Sequence, residues 1–132
     1  MERGFQVRVG VKNMVFEDVI RLIRQTYWAK DRSEETMRKA MEHSLCFGVF
    51  DGERQIGFCR IITDLSVIYY VADVIVDKDH RHRGAALTMM KAVVAHPDLE
   101  GLRGILITKD AQDLYRKVGF EIYPIHFMEK KV

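Results

Sequence analysis

The stretch that most restricts what this chain can fold into is residues 71–87. An apolar run, 71–76, reads as a buried strand interrupted by a single acid, Asp73. A charged turn follows at 77–83. Gly84, Ala85 and Ala86 then open a helix carrying Leu87, Met89, Met90, Val93 and Val94. The first amides of a helix have no intrahelical partner, and the helix dipole adds positive potential there. Small residues at 84–86 let an anion approach the backbone closely, and Arg81 and Arg83 flank the same turn. The pattern predicts a pyrophosphate-holding turn; a plain strand-to-helix connection is the alternative.

A chain of 132 residues is long enough for one core, so residues 1–132 are read as a single domain. Twenty-one basic and 19 acidic residues give a formal net charge of +2. That balance argues against nucleic acid or an anionic membrane as partner. No apolar run approaches the ~20 residues of a membrane span, and the first residues do not read as a signal peptide. Cys46 and Cys59, the only cysteines, lie in apolar runs. They read as reduced core thiols, which points to a cytoplasmic protein. His80 and His82 lack the acids or cysteines that would complete a metal shell, so no metal is expected.

Along the chain, Phe5, Val7 and Val9 alternate with polar residues as a strand. Residues 15–28 have helical apolar spacing, with Asn13 as a cap candidate. Ser33 offers an N-cap for a second helix ending near His43. Residues 45–50 and 55–63 flank Asp51-Gly52 as a hairpin. Residues 67–76 form the next strand, antiparallel to the last, and 85–95 the third helix, stopped before Pro97. A short strand at 104–108 should run parallel to 71–76, because a helix crosses between them. A short helix at 111–118 ends at Gly119, and 120–128 is a last strand, available to pair with or swap into a second copy as a homodimer. The order β-α-α-β-β-β-α-β-α-β is that of an α/β (α+β) domain around one mixed sheet.

These residues resemble the GNAT superfamily of acyl-CoA-dependent N-acetyltransferases. Arg81-His82-Arg83-Gly84-Ala85-Ala86 matches its pyrophosphate signature. Ala111, Tyr115 and Lys117-Val118-Gly119-Phe120 match its second motif, and the element order agrees over nearly the whole chain. The resemblance implies a sheet splayed between its fourth and fifth strands. Acetyl-CoA would enter that gap, its pantetheine arm pairing with Val74, Ile75 and Val76 and its pyrophosphate lying on the amides of His82 to Ala86. An amide near Val74 would polarise the acetyl carbonyl, and Tyr115 would be the general acid for the departing thiolate. Thr108 stands where relatives often place a cofactor-contacting Asn, and a hydroxyl offers fewer hydrogen-bonding groups.

An acid inside an apolar strand is costly unless it is paired or faces a wet cleft, which makes Asp73 a candidate base. An Asp bound to backbone groups or sitting at the sheet rim is the competing reading. Tyr69, Tyr70, Asp64 and Glu35 are secondary cleft candidates. The expected activity is direct acetyl transfer from acetyl-CoA to a primary amine of a small molecule or peptide. A CoA-binding module without transferase activity is the alternative, since fold does not fix function.

Overall fold

The computed structural model describes residues 4–132. Five strands form one sheet in the order β1-β2-β3-β4-β5, namely Phe5–Val9, Leu45–Asp51, Arg54–Thr63, Ile68–Val76 and Arg103–Ile105. The first four are antiparallel to their neighbours and β5 runs parallel to β4. Helices α1 (Phe16–Ile23) and α2 (Glu34–Glu42) cover one face; α3 (Ala85–Ala95) and α4 (Gln112–Arg116) cover the other.

Local chemistry explains most boundaries. Gly52 takes φ 63° in the hairpin turn, the left-handed conformation that matches strand twist. The Ser33 hydroxyl accepts from the Thr36 amide at 3.1 Å and starts α2. Val19, Leu22 and Ile23 of α1 are fully buried against Phe58 and Ile75, each contributing roughly 1.5–3 kcal/mol. On the other face Met89, Met90 and Val93 of α3 pack with Phe47, Val49, Ile61 and Val71.

Four expectations need correction. The helix expected over 15–28 stops at Ile23, and residues 24–31 turn back on themselves. Asn13 is not its cap: its side-chain amide donates to the Val9 carbonyl at 2.8 Å and closes a 3-10 turn at Val11–Asn13. The strand expected at 104–108 pairs only over Arg103–Ile105. No strand forms at 120–128, where the chain has no regular structure and is exposed from 121 onward.

Two irregularities in β4 position the site. Pairing with β5 covers only Ile68, Tyr69 and Tyr70. Beyond them the strands part, and 71–76 present an unpaired edge to the gap. Within the same stretch, Phe58 pairs with Ile75 and Arg60 with Ala72, so Cys59 opposes both Asp73 and Val74. This is a β-bulge, opened by Asp73 at φ 57°; Asp is among the few residues that tolerate that region. The bulge reverses the alternation. Val71 packs on the α3 side, whereas Asp73, two residues on, turns to the α1–α2 side.

Candidate active site

The turn after β4 is held rigid from beneath. Asp77 is buried and accepts from the Gln25 side-chain amide (3.0 Å) and from His80 Nδ1 (2.9 Å), with Arg21 3.5 Å away. Burial alone would raise its pKa, but these hydrogen bonds and charges hold it below the usual carboxylate range. Gln25 returns its own oxygen to the Lys78 amide at 3.0 Å. His80 is thus engaged with the turn's anchor. Above it the Arg81 guanidinium donates through Nε to the Val76 carbonyl at 3.1 Å, tying the turn to the strand end.

His82 at φ 67° and Gly84 at φ 83° curl the backbone so that α3 starts with no side-chain cap. Thr88 is the first residue to donate back, to the Gly84 carbonyl at 2.9 Å. The amides of Ala85, Ala86 and Leu87 therefore point outward at a helix N-terminus. A Cβ on Gly84 would meet no protein atom within 4 Å, so the space in front of the turn is open. Arg81, His82, Arg83 and Gly84 are exposed around it, Ala86 is partly buried and Ala85 is in the core. The residues of the expected cradle are thus in one place.

Asp73 sits where the gap begins but is not free. Its carboxylate accepts from Arg32 at 2.7 Å, from Arg60 at 2.7 Å and from the Trp28 indole at 3.1 Å. Burial pushes its pKa up, yet the bonds and charges of Arg32 and Arg60 outweigh this and hold it below the ordinary value. The three partners come from the 24–32 turn and β3. Only the buried acid hinted at them in sequence: such a charge must find a cation, but spacing does not say which.

Tyr115 is buried on the α3 side, in the same cluster as Cys59, Val71 and Met90. Its ring meets Phe120 edge-on at 6.0 Å. Burial, with a smaller contribution from Cys59, pushes the phenol up to about 12. The Thr108 hydroxyl accepts the Ala111 amide at 3.0 Å and so begins the turn into α4. Val74 is partly buried, Ile75 and Val76 buried, all along the unpaired edge of β4. Tyr27, packed edge-on to Trp28 at 5.0 Å, lies under the Lys109 ammonium at 4.5 Å. Through these contacts the α1–α2 connection is joined to the loop after β5.

The secondary candidates divide. Asp64 is exposed and caps its own turn, accepting the amides of Ser66, Val67 and Ile68. Tyr69 lies over Gly104, and Glu35 is exposed in the first turn of α2. No group of three His, Cys, Asp or Glu side chains able to hold a metal occurs among the described residues. No helix there is long and apolar enough to cross a membrane.

A split sheet whose unpaired strand edge leads into an uncapped helix start defines a class by its geometry: an open strand edge beside a helix start whose free amides can accept an anion. Comparison with known proteins narrows this class. Residues 42–122 match the family model described as Acetyltransferase (GNAT) domain. A structure from Xanthomonas campestris pv. campestris, a proposed acetyltransferase of the GNAT family, is 39% identical and superposes with a TM-score of 0.91, covering 100% of this chain and 96% of that one. A GNAT family protein from Streptococcus pneumoniae (24% identity, TM-score 0.78, coverage 97% and 98%) shares the fold. So does the aminoglycoside N-acetyltransferase AAC(6')-Iy, solved with CoA (20%, 0.73, 99% and 98%). Comparison with curated proteins gives no match. The chain belongs to the GNAT acetyltransferase family.

Proposed function

We propose that the protein transfers an acetyl group from acetyl-CoA directly to a primary amine. The observation that carries this reading is the open, uncapped turn at Gly84–Leu87, aligned with the unpaired edge of β4. The pyrophosphate would lie on the amides of His82 to Ala86, between Arg81 and Arg83. The pantetheine arm would run beside Val74, Ile75 and Val76 as an added strand. The amide of Val74, displaced by the bulge, would donate to the acetyl oxygen as charge develops there. A neutral amine then attacks the carbonyl carbon; the C–N bond forms, the C–S bond breaks, and the amine's proton leaves to solvent.

Tyr115 would meet the departing sulfur. A phenol at about 12 against a thiol near ~8.5 makes complete proton transfer uphill by roughly 5 kcal/mol. Its part is therefore a hydrogen bond to the nascent thiolate. Asp73 is assigned a different role from the base considered above. With Arg32, Arg60 and Trp28 all donating to it, it anchors the bulge, and the acceptor loses its proton through water. Thr108 would touch the cofactor through its hydroxyl hydrogen or the one oxygen lone pair left after it accepts the Ala111 amide.

The occupied Asp73 and the buried Tyr115 favour one other reading, a CoA-binding module without transfer. A panel of amines assayed for acetyl-CoA-dependent thiol release separates the two. At least one amine should release thiol above background hydrolysis; none doing so, with CoA still bound, selects the module. Gly84→Glu should abolish CoA binding by calorimetry, because it forces an acid into a left-handed backbone position facing the phosphates. Unchanged affinity would remove the turn from the site.

A further inference from the structure

The α1–α2 face of the sheet is only partly roofed. The helices bury it at Cys46, Phe58 and Ile75. Further along, the face is open: Ile62 is 43% and Ile105 39% exposed. Ile62 pairs with Tyr70 and Tyr70 with Ile105, so the three side chains line up across β3, β4 and β5 on one face. Arg60, two residues before Ile62, shares that face. Burial, with the nearby Asp73 carboxylate, pushes the Tyr70 phenol above its ordinary value, and Arg60 acts the other way. The row therefore runs directly into the Asp73 cluster. Two isoleucines and an aromatic ring beside fixed charges make a seat for an apolar body with a polar end.

At that end two guanidiniums share one carboxylate. Arg32 and Arg60 both reach Asp73 at 2.7 Å, and among the described residues no other carboxylate pairs with either. The cluster so carries one uncompensated positive charge. Its donors are not exhausted. Arg60 spends Nε on Asp73 and Nη1 on the Ser44 hydroxyl (3.2 Å), which leaves Nη2. Arg32 spends Nη1 and Nη2 on Asp73, which leaves Nε. Neither remaining nitrogen is shut away from water. The loop carrying Arg32 is also fixed in advance. The Arg24 guanidinium donates to the Lys30 and Arg32 carbonyls at 3.0 and 2.7 Å, and the Arg32 amide to the Ala29 carbonyl at 3.0 Å. A cation held this way loses little freedom when an anion arrives.

We infer that the acceptor is a free α-amino acid with an apolar side chain, its carboxylate held by Arg32 and Arg60 and its side chain lying along Ile62, Tyr70 and Ile105. The inference rests on the acetyl-transfer reading and names the acceptor for it. Val74, whose amide faces the acetyl oxygen in that reading, follows directly on Asp73. The cation pair is thus one residue from the reacting carbonyl, and an acceptor whose amine and carboxylate are a single carbon apart serves both. Guanidinium groups match the planar geometry of a carboxylate. A peptide N-terminus has an amide in place of that carboxylate and leaves the charge unanswered. A polyamine is repelled by it. The products are the N-acetyl amino acid and CoA, one proton of the starting ammonium being released to solvent.

Initial rates of acetyl-CoA-dependent thiol release should favour L-phenylalanine and L-leucine over their amides and over phenethylamine by about 100-fold in kcat/KM, the worth of a strong charge-assisted contact. Equal or faster turnover of the amides or the plain amine overturns the inference and leaves acetyl transfer standing. Calorimetry on the CoA complex tests the seat apart from turnover. N-acetyl-L-phenylalanine should bind, and its amide should bind about 100-fold more weakly. A chain that shows this preference but acetylates no amine keeps the carboxylate seat and loses the transferase reading; a chain that binds acid and amide alike loses the seat. Arg32→Lys keeps a charge beside Asp73 but removes the fork, and should raise the Kd of the acid about tenfold with unchanged circular dichroism. Ile62→Asn alters an exposed residue on which the fold does not depend. It should cut the preference for L-phenylalanine over L-alanine about tenfold. Unaltered acid affinity in the first variant, or an unaltered preference in the second, overturns the assignment.

Discussion

Asp73 carries more of the site than any other single side chain. Its left-handed backbone makes the bulge, and its carboxylate gathers Arg32, Arg60 and Trp28 at the mouth of the gap. Asp73→Asn keeps a residue that tolerates positive φ but leaves two guanidiniums facing a neutral amide. Breaking a partly buried ion cluster in this way should cost about 3 kcal/mol in urea unfolding. Lost turnover at unchanged stability would instead restore Asp73 as a base. Tyr115→Phe tests the thiolate contact. It should lower kcat by roughly 10- to 100-fold, the loss of one hydrogen bond to a charged group, while CoA affinity by calorimetry stays the same. An unaltered kcat would leave Tyr115 as packing only. Asp73 was legible in the sequence as an anomaly, an acid in an apolar strand. Its pairing with Arg32, Arg60 and Trp28 was not, because they lie 41, 13 and 45 residues away in the chain.

At the scale of elements, the gap depends on β5 being short and close. Gly104 pairs with Tyr69, whose ring lies over it: a Cβ there would come within 2.5 Å of the ring. Gly104→Val should therefore push Tyr69 aside or part the strands earlier. The expected outcome is a loss of about 1–3 kcal/mol and a weaker KM for acetyl-CoA, read by denaturant melts and initial rates. Retained stability and KM would mean that the opening is not set by this contact. The elements most legible in sequence were those with strong periodicity or local signals: the hairpin at Asp51-Gly52, α2 behind Ser33, and α3 over 85–95. The failures have a common cause. The periodicity of 15–28 continues past Ile23, but Thr26 interrupts it, its hydroxyl donating to the Ile23 carbonyl and accepting the Ala29 amide. That alternative to the helix is available to a Thr anywhere and shows only in three dimensions. The strand expected at 120–128 has strand-like residues, yet alternation says nothing about whether a free sheet edge lies within reach in the same chain.

For the whole molecule, stability should fall at both ends of the pH range. Asp73 and Asp77 are held below the ordinary carboxylate value of 3.8, so the unfolded chain takes up their protons first. Their stabilisation is present above about pH 4 and is lost as pH falls through the folded values. At the alkaline end, burial raises Cys46 to about 11 from 9.0 and Tyr115 to about 12 from 10.0, and also raises Cys59. The unfolded chain ionises first, so stability is full below about pH 9 and declines as pH rises toward 12, by up to roughly 5 kcal/mol for Cys46 and Tyr115 together. Urea melts from pH 3 to 11 should show a plateau between about pH 5 and 9. A midpoint that stays level above pH 10 would mean these groups are reached by solvent. The small-residue turn into α3, the hairpin, the starts of α2 and α3 and the family resemblance follow from sequence alone, because each depends on neighbours within a few residues, where side-chain chemistry acts directly on backbone conformation. The bulge that turns Asp73 away, the parting of β4 from β5 and the unpaired segment 120–128 came only from the tertiary structure. They depend on which edges and charges meet across the sheet, and contacts between distant segments leave no periodicity to read.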